Sequence, residues 1–192
     1  METNEPYFVA VGASGAEGLH DIQDLLRALP VPCPAIIMIV LHRPSDKISY
    51  LRDVLAHGCS MPVVVAMEAE DLQSGTCYIG EPNAHLTLVD HVVAHLVEGS
   101  GHRLRNRTVD ALFDSLAAHA GKRTIGIIMS GMLDDGSRGL AAIHAAGGIT
   151  MVLDPGAKVR GMQQNAIDYD GPISFIGTAI EIANTVEQVI TR

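Results

Sequence analysis

Three side chains of this sequence have the chemistry of a nucleophile, its base and the group that orients the base. Ser14 lies between Gly12 and Gly15, His42 follows an apolar run, and Asp135 lies in a polar stretch after another apolar run. A hydroxyl, an imidazole and a carboxylate are the three parts of the catalytic triad of a serine hydrolase. We therefore predict that Ser14, His42 and Asp135 are catalytic.

Each of these residues has a physical reason for its predicted role. Ser14 precedes a predicted helix, whose free N–H groups and dipole favour a developing oxyanion. Gly15 permits a tight turn that exposes the hydroxyl, so we predict that it belongs to the oxyanion and substrate-binding site. His42 can accept the serine proton near neutral pH, and Asp135 can fix the tautomer of the imidazole.

Ordinary structural roles compete with this interpretation. A serine before a helix is most often an N-cap, and a histidine at the end of a strand is often a solvated loop residue. Asp134-Asp135-Gly136 is also a common turn and helix-start sequence. Together, the three side chains favour catalysis over these separate roles, because the predicted sheet described below brings all three to one edge.

The elements that position these residues are predicted from apolar periodicity. Strands are expected at about 7–11, 35–41, 61–67, 124–129, 149–153 and 173–176. Helices are expected at about 19–29, 45–58, 108–120, 137–146 and 178–190. Ser45 is expected to cap the second and Thr108 the third, and a Thr178/Glu181 capping box starts the last. This alternation predicts an α/β fold, a doubly wound, mostly parallel sheet with helices on both faces. The stretch 77–97 predicts short strands and an antiparallel hairpin at one edge.

The carboxyl ends of the predicted strands explain how the three catalytic candidates can meet. Ligands of open α/β sheets bind beyond these ends. Ser14 follows the first strand, His42 the second, and Asp135 the strand at about 124–129. We therefore expect all three on one edge of the sheet.

Length and composition limit the other classes of function. The 192 residues suit a single domain, and a net charge of −9 argues against binding to nucleic acid or to an anionic membrane surface. Three cysteines without CxxC spacing argue against a disulfide framework or a zinc site and favour a reducing compartment. No signal peptide and no span-length apolar run is recognised, which predicts a soluble, cytoplasmic protein without membrane insertion.

The sequence disfavours two other kinds of site, one for a dinucleotide and one for a metal ion. Dinucleotide binding needs GxGxxG, but here Ser14 replaces the second glycine, and His42 ends the strand where an acidic residue would hold a ribose. A metal site needs clustered ligands such as HExxH. The remaining histidines lack that spacing, and most are predicted as surface or hairpin residues, including His85, His91, His95 and His102.

Five short segments stand out by their glycine, histidine and acidic residues: VAVGAS (9–14), LHRP (41–44), CYIGEPNAHL (77–86), VDALF (109–113) and GIIMSGMLDDG (126–136). In this order and spacing they resemble the catalytic domain of CheB-type chemotaxis methylesterases. The last segment is the most specific, and the resemblance runs from about Tyr7 to the C-terminus. Residues 1–192 are therefore expected to form a single CheB-type catalytic domain.

The resemblance implies a protein-glutamate methylesterase. Such enzymes hydrolyse glutamyl methyl esters on the cytoplasmic helices of chemoreceptors, and many also deamidate receptor glutamines. By motif, Ser14 is the nucleophile, His42 the base and Asp135, rather than Asp134, the orienting acid. Met132 lies where the family has a residue lining the oxyanion site. No metal or organic cofactor is expected.

Several positions depart from the family pattern. The family usually has Ser-Thr-Gly-Gly where this chain has Ser14-Gly15-Ala16-Glu17, and proline where it has Gln163. The segment 104–108 replaces the usual Arg-His-Arg-Pro-Ser. Arg103, Arg105 and Arg107 are candidates either to meet an acidic receptor or to form an exposed basic turn. These departures motivate the alternative hypothesis of a diverged, weakly active or inactive binding or regulatory module.

Length and charge also carry expectations about regulation and docking. Enzymes of this type usually have an N-terminal receiver domain, and 192 residues leave no room for one. We therefore expect a stand-alone form or an excised domain, with Met1 favouring the former. Because the receptor surface is expected to be acidic, docking must depend on a local patch or a tether rather than on overall attraction.

Overall fold

A seven-stranded parallel sheet forms the centre of the molecule in a computed structural model of the chain, which describes residues 5–44, 49–98, 107–158 and 160–192. The strands are β1 (Tyr7–Ser14), β2 (Ala35–His42), β3 (Val63–Val65), β4 (Cys77–Ile79), β5 (Ala84–Val89), β6 (Val93–Glu98), β7 (Thr124–Ile128), β8 (Ile149–Leu153) and β9 (Phe175–Gly177). The helices are α1 (Gly15–Ala28), α2 (Leu51–Ala56), α3 (Thr108–His119), α4 (Ser137–Ala145), α5 (Met162–Asp168) and α6 (Ala179–Ile190), with a 3-10 turn at Gly121–Arg123.

The order of the strands creates a crevice beside β1. The sheet runs β3-β4-β2-β1-β7-β8-β9, and every neighbouring pair is parallel. The chain builds outward from β1 in one direction through β2 and then returns to build in the other direction from β7. Such a switch point opens a crevice at the carboxyl ends of the strands. The predicted α/β class with a mostly parallel sheet is confirmed.

Both faces of the sheet are buried because its strands are apolar at successive positions. Val9 and Val11 of β1 pack on one face with α1 and α6, whereas Phe8 and Ala10 pack on the other with α3 and α4. This arrangement follows from the period-two alternation of side chains along a strand. The two resulting cores hold β1, β2 and β7 rigidly, and these are the strands whose ends carry the catalytic candidates.

The antiparallel hairpin differs in detail from the sequence expectation. Strands β5 and β6 pair with each other as a separate two-stranded sheet, which packs its apolar side chains against α3. Cys77–Ile79, expected to accompany the hairpin, is instead the parallel strand β4 inside the main sheet, between β2 and β3. Its three residues are buried between two neighbouring strands. A short apolar sequence of this kind is compatible with a parallel sheet as well as with a hairpin.

The helices agree with the sequence expectation except at three places. α5 was not predicted, because it is short and its sequence, Met162–Asp168, is rich in polar residues. The predicted start of α2 at Ser45 lies outside the described residues, and the helix as described begins at Leu51. α3 begins at Thr108, whose hydroxyl makes no capping bond, so the predicted cap there is absent.

The capping box at the start of α6 is confirmed. Thr178 Oγ1 accepts the backbone N–H of Glu181 at 3.3 Å, and Glu181 Oε2 accepts the backbone N–H of Thr178 at 2.8 Å. We expect Thr178→Ala to lower the free energy of unfolding by about 1 kcal/mol, measured by urea denaturation. Thr185→Ala is the matched control, because its hydroxyl bonds only a carbonyl within the same helix. An equal loss in both variants would contradict the capping role.

Candidate active site

Ser14 and His42 lie side by side at the carboxyl ends of two neighbouring strands. They are register partners, the last residues of β1 and β2. Side chains of register partners in parallel strands emerge on the same face, about 4.8 Å apart along the sheet. The hydroxyl and the imidazole are therefore brought together by strand pairing alone. Within the described residues, no hydrogen bond joins the two side chains.

Asp135 meets His42 from the loop between β7 and α4. His42 Nε2 and Asp135 Oδ2 are 2.6 Å apart, and the carboxylate is buried. The same carboxylate accepts the backbone N–H groups of Val109, at 2.8 Å, and Asp110, at 2.9 Å. A carboxyl group that receives these N–H groups acts as an acceptor, so the proton shared with His42 resides on Nε2. His42 Nδ1 is then left with its lone pair, as a general base requires.

The hydroxyl of Ser14 is not used to cap α1. Ser14 has the extended backbone of an N-cap residue, yet its side chain makes no capping hydrogen bond. Its Oγ instead accepts the backbone N–H of Met132 at 3.1 Å, while its own N–H donates to Ser130 O at 3.0 Å. The ordinary N-cap role is therefore excluded by the contacts of this serine.

Two glycines make this arrangement possible. Gly15 has a φ of 70°, a left-handed conformation that glycine adopts without strain, and it starts α1 immediately after the serine. A Cβ at Gly131 would lie 2.2 Å from Ser14 Oγ, so only glycine lets this loop approach the hydroxyl. The Met132 N–H donates to the Ser14 hydroxyl, and Ser14 directly precedes the first turn of α1, whose N–H groups have no partner within the helix.

An open cavity of about 410 Å³ gives access to the site. Ser14, Gly15, His42 and Met132 line it, together with Arg43. The guanidinium of Arg43 donates to Ser49 Oγ at 2.8 Å and to the carbonyl oxygen of Gly80 at 2.6 Å. Burial lowers the pKa of Arg43, and nearby Glu81 opposes this shift. Arg43 thus presents a fixed positive charge beside the imidazole.

Two residues near the site were missed as site residues by sequence reasoning. Thr108 Oγ1 lies 3.3 Å from His42 Nε2 and 3.5 Å from Nδ1, so it packs against the imidazole ring. His85, predicted among the surface or hairpin histidines, does lie in the hairpin but is only 3% exposed, and neither of its ring nitrogens has a partner among the described residues. Burial lowers the pKa of His85 and so favours a neutral ring, and the nearby Asp135 carboxylate offsets part of this shift. His85 lies within the CYIGEPNAHL segment, but nothing in that segment predicts that its ring is buried.

Asp135, just before α4, binds the start of α3, and Asp110, in α3, binds the start of α4. Asp135, just before α4, accepts N–H groups from the first turn of α3. Asp110, in the first turn of α3, accepts the N–H groups of Gly136, at 3.0 Å, and Gly139, at 2.8 Å, in the first turn of α4. Burial raises the pKa of Asp110, whereas these N–H groups lower it. This exchange satisfies N–H groups at both helix starts and fixes the position of Asp135.

The remaining sequence candidates make no hydrogen bond with Ser14, His42 or Asp135 within the described residues, or lie outside them. His91 is exposed in the hairpin turn, and exposed His95 pairs with Glu68 at 2.8 Å. His102, Arg103 and Arg105 lie outside the described residues, whereas Arg107 is exposed immediately before α3. Glu17, one of the departures from the family pattern, pairs with Lys158 at 2.6 Å.

The described ranges hold neither a metal-binding cluster nor a membrane-spanning helix. In those ranges, no group of three or more histidine, cysteine, aspartate or glutamate side chains is arranged to hold a metal ion. The helices of the same ranges include none with the length and apolarity needed to cross a bilayer.

Comparison with known proteins identifies the family. A family model described as CheB methylesterase matches residues 9–186, nearly the whole chain. The chain belongs to the CheB methylesterase family. The resemblance that the sequence motifs carried is therefore confirmed.

Relatives within the CheB methylesterase family span most of this chain. Protein-glutamate methylesterase/protein-glutamine glutaminase 2 of Rhodospirillum rubrum is 36% identical over 83% of the chain and 44% of its own length. A protein of the same name from Cupriavidus pinatubonensis is 34% identical over 96% of the chain and 51% of its own length. The chain thus spans about half the length of these relatives.

A solved structure shares the fold. The crystal structure of the Thermotoga maritima CheB methylesterase catalytic domain is 24% identical, with a TM-score of 0.85, and the match covers 96% of this chain and 99% of that one. The seven-stranded sheet and the separate hairpin are therefore the fold of a CheB catalytic domain.

The backbone of Met132, rather than its side chain, is expected to serve the site. The side chain is 80% exposed, whereas the N–H contacts Ser14 Oγ. We expect Met132→Pro, which removes this N–H, to lower kcat for a small activated ester by about 10²–10³-fold. Met132→Ala keeps the N–H and is expected to change kcat for the same ester little. Similar losses in both variants, with melting temperatures unchanged, would contradict a backbone role.

Proposed function

We propose that this chain is a serine esterase that hydrolyses glutamyl methyl esters on chemoreceptors. Ser14 is the nucleophile, His42 the general base and Asp135 the residue that orients the base. The observation that carries this proposal is the 2.6 Å contact between His42 Nε2 and the buried Asp135 carboxylate, at a strand end in register with Ser14. Family membership supports the same reaction class.

Acylation begins with the transfer of a proton from Ser14 to His42. As Ser14 Oγ attacks the ester carbonyl, His42 Nδ1 accepts the hydroxyl proton, and Asp135 stabilises the resulting imidazolium through Nε2. The carbonyl oxygen becomes an oxyanion, for which the Met132 N–H and the free N–H groups at the start of α1 are the donors. The methoxy group leaves as methanol after taking the proton from His42. An acyl-enzyme remains on Ser14.

Deacylation repeats these steps with water. His42 removes a proton from a water molecule, whose oxygen attacks the acyl carbonyl, and the intermediate collapses to release the glutamate carboxylate. The proton held by His42 returns to Ser14 Oγ. These steps require a hydroxyl, an imidazole and N–H donors, so the mechanism includes no metal or organic cofactor. A glutamine side chain enters the same sequence with ammonia as the leaving group, the second activity in the names of the relatives.

The proposed partners are methylated cytoplasmic helices of chemoreceptors, reached in the cytoplasm by residues 1–192 acting as one catalytic domain. The net charge of −9 opposes overall attraction to an acidic receptor. Arg107 and Arg43 supply local positive charge, the first exposed beside Thr108 and the second in the cavity. We expect docking to depend on such local charges, and therefore to weaken with salt.

Methanol release from receptor-containing membranes tests this function. The purified chain is mixed with membranes carrying enzymatically methylated receptors and, as a control, with membranes whose receptors were never methylated. A fluorophosphonate probe is applied in parallel, and its attachment site is mapped by mass spectrometry. We expect methanol only from methylated membranes and a single label on Ser14. A folded chain that neither releases methanol nor reacts with the probe would instead support the binding-module hypothesis.

A further inference from the structure

A buried polar contact fixes the loop Ser130–Gly131–Met132, whose last N–H donates to Ser14 Oγ. Gln163 Nε2 donates a hydrogen bond of 3.0 Å to Ser130 Oγ, and the two residues are 3% and 4% exposed. Buried polar groups are costly unless paired, so this hydrogen bond fixes α5, on which Gln163 lies, to the end of β7. None of the proposed catalytic steps uses either side chain.

The two residues that follow Ser130 form the peptide group that faces the nucleophile. The N–H of Met132 donates to Ser14 Oγ, and the carbonyl of the same peptide group, Gly131 O, accepts the N–H of Met162 at 2.8 Å. The peptide group is planar, with its C=O and N–H pointing in opposite directions. The first N–H of α5 therefore determines where the Met132 N–H points.

Close contact between α5 and this loop is built into the backbone. Gly161, immediately before α5, has a φ of 119°, and a Cβ there would lie 2.5 Å from Gly131 O. Only glycine allows the helix start to approach so closely. The loop is anchored at Ser130 as well, where the carbonyl accepts the N–H of Ser14 at 3.0 Å. Gln163 is the side chain that links this anchor to α5.

We propose that Gln163 is a positioning residue, which orients the Met132 N–H toward the oxyanion by fixing the start of α5 to Ser130. The kinetic part of this proposal rests on the proposed esterase function, and the structural part does not. Within the described residues Gln163 makes no hydrogen bond to Ser14 or His42, so it acts on the site through the backbone of the Ser130–Met132 loop. A displacement of about 1 Å in a catalytic group costs on the order of 10²-fold in rate.

Substitution of Gln163 separates positioning from simple stability. We expect Gln163→Leu to lower kcat for p-nitrophenyl acetate by about 10-fold, with KM within about twofold, because the N–H binds the transition state better than the substrate. Gln164→Leu is the matched control, since its amide bonds only exposed Asp168 on the same helix. An unchanged kcat in Gln163→Leu, or an equal loss in Gln164→Leu, would overturn the proposal.

Ser130→Ala removes the same hydrogen bond from the other partner. We expect it to reproduce the loss of kcat, and the double variant to lose no more than either single variant. Losses that multiply in the double variant would show that the two side chains act independently, which contradicts the proposal. Ser130→Ala also provides the test if Gln163→Leu does not fold.

Amide hydrogen exchange measures the positioning directly and does not require activity. We expect the Met132 N–H to exchange faster in Gln163→Leu than in the wild type or in Gln164→Leu, while the amides of β1 are unaffected. If the wild-type chain does not hydrolyse the ester, the proposed function fails, and exchange still decides the positioning role. Equal exchange of the Met132 N–H in all three proteins would overturn it.

Discussion

Replacement of Ser14 by alanine is expected to lower kcat for methyl-ester hydrolysis by about 10⁴-fold or more. The variant lacks the oxygen that forms the acyl-enzyme, so only the N–H donors and substrate binding remain to assist attack by water. Among the described residues, the hydroxyl accepts one hydrogen bond, from the Met132 N–H, and it does not cap α1. We therefore expect the fold to be preserved and the loss to be catalytic.

The measurement is the rate of methanol release, with circular dichroism and melting temperature as checks on folding. Ser60→Ala, at an exposed serine between α2 and β3, is the matched control and should retain full activity. Reaction with the fluorophosphonate probe should disappear in Ser14→Ala and persist in Ser60→Ala. Retention of more than a tenth of the wild-type rate by Ser14→Ala, in protein free of wild-type contamination, would exclude Ser14 as the nucleophile.

Asp135→Asn is expected to damage both catalysis and folding. The carboxylate accepts from His42 and from the N–H groups of Val109 and Asp110, whereas an amide must turn an NH₂ group toward one of these donors. If the NH₂ group takes the place of Oδ2, it faces both His42 and the Val109 N–H, so the tautomer that leaves Nδ1 free is lost, kcat falls by about 10⁴-fold, and the Val109 N–H is left unpaired. If it takes the place of Oδ1, the buried N–H of Asp110 is left unpaired at a cost of about 1–3 kcal/mol in the free energy of unfolding.

Asp134→Asn is the matched control for this prediction, because Asp134 is the adjacent residue and is exposed. It removes the same charge one position away and should change neither kcat nor the free energy of unfolding appreciably. Steady-state kinetics and urea denaturation measure the two effects separately. The proposed role of Asp135 would be wrong if the two variants lost the same activity and the same stability.

The placement of the catalytic candidates was accessible from sequence because it depends on strand ends. Continuous apolar runs mark buried parallel strands, and the residues directly after such strands share one edge of the sheet. That rule is enough to bring Ser14, His42 and Asp135 together, since Ser14 and His42 are register partners. The hydrogen bonds of Asp135 with α3 were not accessible, because they depend on how the helix packs.

The residues that sequence reasoning missed act through contacts between distant parts of the chain. Gln163 reaches Ser130 from a short polar helix that lacks an apolar period, so neither the helix nor the contact had a sequence signal. His85 is buried because the hairpin packs on α3. The residues around it predict only a strand flanked by turns, which does not indicate burial. Cys77–Ile79 shows the related difficulty that a short apolar run does not reveal whether its partners are parallel or antiparallel.

Asp135 bonds both His42 and the start of α3. In this family, selection for folding therefore acts on Asp135 even where selection for catalysis does not. A lineage that no longer hydrolyses esters loses selection on Ser14 and His42, whose side-chain hydrogen bonds to Met132, Asp135 and Thr108 pair no helix-start N–H group of α3 or α4. It keeps selection on Asp135, because the starts of α3 and α4 are satisfied through the exchange between Asp135 and Asp110. In degenerate homologues, a retained aspartate at this position therefore reports only that the fold survives, whereas the serine and histidine report whether the chemistry does.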